Sequence, residues 1–368
     1  VSAFTVTGSA LNEATAWALR IAPSRPALTH LGGLLLDASD DQVSFTAFDL
    51  DTCGVVTLPG VVREPGKALL SARLLAAIAK SVARDVDVTI EVDGSSAIVR
   101  CGKSQWSLPT MPAEDFPGLP QLADPAGEID AEVLRHALSR VLPAVHSGNE
   151  SAFQNLAAVK LDGDDQMLRL VATDRYRVAV ADVPWKPTGD MTLDALAPSG
   201  LLEAAARAAG SGTVSLFCGD STFGLATDTH RVIGRQIAQA YPVISRFMPV
   251  PGEHYAVVDV ADLSRAIDEA MVMLDKEPAI KLAFDIESVE VSVAGDDRRS
   301  SAEATTHALY GDPVEFAVNA GFLRTALKAV ESAAAVVHFS SRAVLILPSD
   351  ADGSVIDGYE HVVMRSRL

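Results

Sequence analysis

Three copies of one pattern run through this chain of 368 residues, and that repetition limits its fold more than any other feature. Leu11–Ala22, Val133–Val145 and Leu263–Leu274 share an Ala/Leu-rich helical spacing and start about 125 residues apart. A second set, Ser71–Val82, Ser199–Ala209 and Ala320–Val330, keeps the same period. Each opens near a capping-type residue, and its apolar side chains at i, i+3, i+4 and i+7 give the helix one packed face. Between the helices the period falls to two. Val86–Val92 and Ala97–Cys101 across Asp93-Gly94 predict a hairpin with a type I′ turn, and Leu156–Leu161 with Met167–Ala172 across Asp162-Gly163 predict another. Ile280–Phe284 with Val289–Val293 reads as a third. Each third of the chain is therefore helix, strands, helix, strands, an α+β arrangement. The Pro-rich stretches 109–125 and 242–251 fall where the copies meet, which places three domains over 1–122, 123–248 and 249–368.

Charge separates these elements. The chain carries Lys+Arg 30 against Asp+Glu 48, a net charge of −18, so as a whole it repels phosphate and lipid headgroups. The six helical windows 11–22, 71–83, 131–142, 199–209, 261–274 and 320–331 hold nine basic and seven acidic residues, a net of +2, and leave −20 to everything else. Helices turned to a common interior, with sheets outside, would tolerate phosphate within and repel it without.

Several chemistries are missing. There is no GxxxxGK[ST], HExxH or GxSxG; Gly210-Ser211-Gly212 lacks the third glycine of a dinucleotide fingerprint; Asp162–Asp165 is too short for a calcium loop. The eight His are scattered, so neither a metal site nor a nucleophile-and-base pair can be assembled, and no cofactor is expected. Cys53, Cys101 and Cys218 are far apart and odd in number, which points to a reducing cytosol. No run of 18 apolar residues and no basic-then-apolar leader occurs, so no membrane partner is expected.

Four segments carry a family resemblance: Arg25-Pro26 followed by Leu34–Leu36, Leu108–Pro120 (LPTMPAEDFPGLP), Ala172–Val180 (ATDRYRVAV) and the closing Val362–Leu368 (VVMRSRL). In order and spacing the chain resembles the bacterial DNA polymerase III beta subunits, the replicative sliding clamps, in an actinobacterial-like form. The resemblance implies three clamp domains per chain, and two chains head to tail in a six-domain ring with helices inside around duplex DNA. Such a ring binds DNA without regard to sequence and serves the replicative polymerase alpha subunit, the clamp loader and other proteins with a clamp-binding motif, in the cytoplasm and without catalysis of its own. It also implies a pocket for a partner peptide of Gln, Leu and Phe type. That pocket is walled by Leu156, Thr173, Arg175, Tyr176, Arg177, Val178, Pro242, Arg246, Phe247, Asn319, Phe322, Val344 and the tail residues Val362, Met364, Arg365, Ser366 and Arg367.

The resemblance makes Arg25, in the loop after the first helix, the leading DNA contact, and Arg73, Lys80, Arg135, Arg140, Arg207, Arg324 and Lys328 lie on helices expected to face DNA. Trp106, in the alternating Ser104–Leu108 segment, is expected to meet Met273 and Leu274 of a second copy, because a Trp on a solvent-facing strand is otherwise wasted. Glu150, Gln154 and Asn155 occupy the loop before the central strands, where the family often carries aromatic or amide residues as DNA contacts. The family tail usually reads Met-Pro-Met-Arg-Leu or Met-Pro-Val-Arg-Leu; here Arg365 and Ser366 stand for the Pro and the apolar residue. That departure opens the alternative of a specialised second clamp whose pocket evades a cyclic-peptide antibiotic. A clamp-fold scaffold that does not encircle DNA is an alternative of another class, and an acidic hydrolase a remote one.

Overall fold

The computed structural model describes residues 2–148, 151–189, 192–272, 279–294 and 299–366. Its six described helices are α1 (Gly8–Ala18), α2 (Ala72–Ser81), α3 (Ala131–Val141), α4 (Ser199–Ala208), α5 (Val260–Met271) and α6 (Ala320–Val330). Each leaves directly from the end of a strand: Ser2–Thr7, Gly66–Ser71, Pro125–Asp130, Leu193–Pro198, Tyr255–Asp259 and Val314–Asn319. The sequence pattern, which opens each third on a helix, missed the strand that leads into α1, α3 and α5.

The junctions share one device. Thr7, Ser71, Asp259 and Asn319 accept the amide three residues on, and Asp130 Oδ1 accepts the amides of Glu132 (2.8 Å) and Val133 (3.1 Å). Each such cap satisfies donors that the first helical turn cannot, worth about 1 kcal/mol. Only α4 lacks it, because Pro198 has no side-chain acceptor.

Contacts divide the chain into two compact units. The first comprises the chain up to Arg135, Asp164–Gln166 and Trp185–Ile237; the second comprises His136–Gly163, Met167–Pro184 and Ala238 onward. In the first unit a 14-stranded sheet runs without a break because His230–Arg235 pairs with Thr52–Pro59, Ile233 lying opposite Cys53. Against it pack α1 and α2 through fully buried Leu11, Ala14, Ala18, Leu75 and Ala79. Trp17 Nε1 donates to Ala204 O (3.2 Å), and Gly54 is required beneath that ring: a Cβ there would stand 2.7 Å from it and 2.1 Å from Ile21 Cδ1.

In the second unit the strands run Ala158–Gly163, Met167–Thr173, Arg177–Pro184, Tyr359–Ser366, Val314–Asn319, Ala279–Phe284, Ser288–Ala294, Arg299–Tyr310, Tyr255–Asp259, Ala334–Phe339 and Ala343–Ser349. The last also pairs with Tyr359–Ser366. All described pairings are antiparallel. Beneath this sheet α5 and α6 bury Leu263, Ile267, Leu323 and Leu327.

Two turns differ from expectation. Asp93 pairs with Ser96, so the first hairpin turns on Gly94-Ser95, where only Gly94 has positive φ (+56°); a type I′ turn needs two such residues. In the second hairpin Asp162 and Gly163 are strand residues opposite Arg169 and Leu168, and the turn falls after them. The third hairpin follows the sequence, with Phe284 opposite Val289.

Among the polar side chains that the second unit buries, His361 is fully enclosed. Its Nδ1 is 2.7 Å from Tyr359 Oη, which also bonds Arg140 O (3.3 Å), and its Nε2 has no hydrogen-bond partner among the described residues. Burial, with the nearby Arg177 charge, pushes the imidazole from 6.5 down to about 3. The folded chain thus refuses a proton that the unfolded chain accepts below about pH 6.5. The stabilisation is complete above that pH and is lost at about 1.4 kcal/mol per pH unit as the pH falls toward 3. We expect His361→Gln, which keeps an acceptor for Tyr359, to flatten that part of the acid limb in denaturant titrations run from pH 7 to 4; an unchanged slope would count against this origin.

A candidate peptide-docking cavity

Within the second unit, the tight connection between Met167–Thr173 and Arg177–Pro184 is fixed by its own side chains. Asp174 Oδ1 accepts the amides of Tyr176 (3.0 Å) and Arg177 (3.1 Å), while Asp174 Oδ2 accepts Arg177 Nε at 2.9 Å. Thr173 Oγ1 accepts the Arg175 amide (3.2 Å) and donates to Arg177 O (2.7 Å). With side-chain exposures of 13% and 11%, Arg177 and Asp174 form a nearly buried pair, so removing either would strand the other's charge. This network holds Arg175 at φ +81°, a left-handed conformation that costs a side-chain-bearing residue roughly 1–2 kcal/mol. Met364 closes the arrangement from the last strand, its amide donating to Tyr176 O (2.8 Å).

The result is a cavity of about 270 Å³ lined by Thr173, Arg175, Arg177, Val178, Pro242, Ile244, Phe247 and Met364. Its walls are mainly apolar, and Phe247, on the turn after Ile244–Arg246, is half exposed. Beside it Arg177 lies 4.4 Å from the Phe322 ring centroid, and Tyr176 stacks on the same ring at 6.4 Å. Tyr241 buttresses the Pro242 segment by donating to Val171 O (3.2 Å), and burial raises its phenol far above the ordinary value. An open hollow of about 630 Å³ elsewhere in this unit has Asp285, Glu290, Glu303 and Glu315 in its walls, so it does not offer the apolar surface a Leu or Phe side chain needs.

The expected pocket residues separate into groups. Thr173, Arg175, Arg177, Val178, Pro242, Phe247 and Met364 line the cavity together, joined by Ile244, which the sequence reading missed although its i, i+3 relation to Phe247 is visible there. Tyr176 and Phe322 flank it, Arg246 stands exposed on its short helical turn, and Asn319 caps α6 through the Phe322 amide (3.0 Å). Leu156, Val344 and Val362 are buried core residues behind the wall.

Arg365 requires a correction. Strand alternation sends it to the face opposite Met364, where its guanidinium covers the Phe316 ring at 4.3 Å and its amide donates to Arg342 O (2.8 Å). Ser366 pairs with Ala317 and is not a cavity wall. Arg367 lies outside the described residues.

The candidate DNA-facing cations are also of two kinds. Arg25, Lys80, Arg135 and Lys328 are exposed; Arg207 lies 3.8 Å from Glu203, and Arg324 is paired with Asp268 at 2.6 Å. Arg73 Nη2 donates to Ser24 O (2.7 Å), tying α2 to the Arg25 loop. Arg140, expected to face DNA, instead donates Nε to Ala329 O (2.7 Å) and covers the Tyr359 ring at 3.9 Å, a half-buried setting that lowers its pKa. Trp106 is half buried opposite Val99, while Met273, Leu274 and Glu150 lie outside the described residues; Gln154 is exposed and Asn155 Nδ2 donates to Ala240 O (2.7 Å). Among the described residues no helix is long and apolar enough to cross a membrane, and no cluster of three or more potential metal ligands occurs.

Comparison with known proteins carries the pattern across the whole chain. Residues 2–120 match the N-terminal domain of the DNA polymerase III beta subunit, 128–243 its central domain and 245–365 its C-terminal domain. The beta sliding clamp of Streptomyces coelicolor is 30% identical over 97% of both chains, and the beta sliding clamp homolog GriR of Streptomyces muensis is 27% identical over 99% of both. The crystal structure of the Pseudomonas aeruginosa sliding clamp bound to griselimycin shares the fold at a TM-score of 0.92 and 23% identity, covering 100% of each chain. A threefold repeat of strand-then-helix junctions, matched domain by domain along its length, makes this chain a member of the DNA polymerase III beta subunit family, the bacterial sliding clamps.

Proposed function

We propose that two copies of this chain close head to tail into a ring around duplex DNA and tether the replicative polymerase alpha subunit, with the clamp loader and other motif-bearing proteins using the same cavity. The protein acts in the cytoplasm as a noncatalytic processivity subunit, over domains spanning about 1–122, 123–248 and 249–368. The observation that carries the ring is a pair of unfilled strand edges.

In the first unit Ser104–Met111 pairs with Ser96–Cys101 on one side, but on the other only Thr110 and Met111 have partners. The Thr110 amide donates to Ser95 O, so by alternation Gln105, Ser107 and Pro109 point to the open side. In the second unit Arg299–Tyr310 is open on one side before Glu303; from there Arg265 bonds Glu303 O (3.0 Å) and Asp262 bonds the Thr305 amide (2.8 Å). Lys103 lies by the first edge, Glu290 and Glu303 by the second. Two unlike edges of one chain with opposite charge favour a heterologous contact, which must close or grow into a filament. We expect Ser107→Pro, which removes one outward amide and none from the Ser96–Cys101 ladder, to give a monomer by light scattering with an unchanged circular dichroism spectrum; a dimer of full mass would refute this edge.

DNA contact on this reading is weak and sequence-blind, since sliding needs few and loose phosphate contacts. Removing the charges of Arg25, Arg73 and Arg135 is expected to release the ring from primed circular DNA at lower salt, the slope of log affinity on log salt falling by about one for each phosphate that is no longer neutralised. Retention indifferent to all three would contradict it.

The cavity reading rests on Met364 and Phe247, not on the tail's Arg365. Met364→Ala should weaken a Gln/Leu/Phe-type peptide by about tenfold, the worth of one apolar contact, and Arg365→Ala by less than about twofold. Equal losses would return the tail to the pocket. The reading as a specialised clamp that evades an uncharged cyclic peptide draws on a different observation, the guanidinium of Arg175 in the cavity wall.

A further inference from the structure

Arg175 is an unusual residue to find in the left-handed region, where glycine fits without strain. Its backbone is held there by Thr173 and Asp174, and its side chain is carried to the cavity mouth. There the guanidinium carbon lies over Phe153, 3.8 Å from the ring centroid, with the Tyr176 ring at 5.5 Å. Phe153 is itself braced by an edge contact with His146, 5.5 Å between centroids. The cation–π contact restrains the guanidinium against the Phe153 ring.

Among the described residues, no carboxylate or carbonyl accepts from that guanidinium: Asp174, its neighbour in sequence, is taken by Arg177. Arg246, an exposed cation next to Phe247, is likewise unpaired among the described residues but does not line the cavity. In a chain of net charge −18, a guanidinium fork in the wall of an apolar cavity with no acceptor among the described residues calls for a complementary anion on whatever enters.

We propose that Arg175 is the specificity-determining residue of this cavity, selecting partner segments that carry a carboxylate beside their apolar anchors. The inference rests on the reading of the cavity as a peptide-docking site. Phe153 is its positioning residue: it holds the fork so that a bidentate contact forms without further ordering of the side chain. An uncharged apolar ligand gains nothing from the fork and must cover it, so the same residue disfavours such ligands.

The test uses the full chain and two peptides with Gln, Leu and Phe anchors, identical except for Asp or Asn beside the Leu, titrated by fluorescence anisotropy. At low salt the wild type should bind the Asp peptide about tenfold more tightly, the worth of one charge-assisted hydrogen bond, and the preference should shrink as salt rises. Arg175→Gly keeps the backbone conformation without strain; it should reduce the preference to below about twofold while the Asn peptide's affinity holds or improves. Phe153→Leu leaves the charge but frees it, and should give an intermediate preference. Arg246→Ala should keep the preference. No preference in the wild type, or one that survives Arg175→Gly, would overturn the assignment while leaving the docking site intact. Failure of both peptides to bind, or binding of both that is indifferent to Met364→Ala, would overturn the docking reading and this inference with it.

Discussion

The antiparallel ladder between Arg177–Pro184 and Tyr359–Ser366 is the interaction on which the second unit's cavity depends. Val178 pairs with Val362 and Ala179 with His361, joining segments far apart in the chain. Closing so long a loop is entropically unfavourable, and what offsets it is burial: Val178, Val362, Leu345 and Leu347 form one cluster with the Tyr241–Met248 segment packed against it. Once the ladder is made, Thr173 and Arg177 on one strand pair and Met364 on the other meet over Ile244 and Phe247. The site is thus a consequence of sheet continuity, and no single stretch of sequence contains it.

Continuity in turn depends on how each strand ends. Five of the six helices start from a Thr, Ser, Asp or Asn that both ends the strand and caps the helix. That shared junction turns the chain directly from strand to helix, and the repeated pattern of Ala and Leu gives each helix a packed face of small and apolar residues. Small residues at the contact matter here: Ala14, Ala18 and Ala79 in the first unit and Ala266, Ala326 and Ala270 in the second are all nearly inaccessible. The composition, rich in Ala and poor in aromatics, follows from packing short helices closely on a sheet.

This explains what could be read from the sequence and what could not. Helix positions are legible because a 3.6-residue period recurs at fixed intervals, and Asp130, Asp259 and Asn319 stand where caps belong. The leading strands are hidden because each is short and merges into the apolar helix pattern. Asp162-Gly163 misleads because a turn dipeptide marks a reversal only when the register around it agrees, and here the strand runs through it. Taken as one block, the tail conceals the alternation that separates Met364 from Arg365. Arg175 on Phe153 has no sequence signal, since a cation–π contact between residues 22 apart depends on a turn that only the Asp174 network creates.

Charge distinguishes how the two proposed ligands are held. Of the helix cations, Arg140 is committed to Tyr359 and Ala329, Arg324 to Asp268, Arg265 to Asp262 and Glu269, and Arg73 partly to Ser24. What remains free is a small set in a chain of strongly negative charge, too few for tight binding to a polyanion by affinity alone. On the proposed reading, residence on DNA then comes from closure, and the free energy of closure from strand edges and not from phosphate contacts. At the cavity the balance is reversed: an apolar wall supplies the attraction and a single oriented guanidinium supplies discrimination. On the proposed reading, a loose, charge-poor hold on DNA and a shaped, charge-tipped hold on partners are compatible in one acidic chain because no described carboxylate pairs with Arg175, while Arg265 and Arg324 are each held by carboxylates of their own or the neighbouring helix.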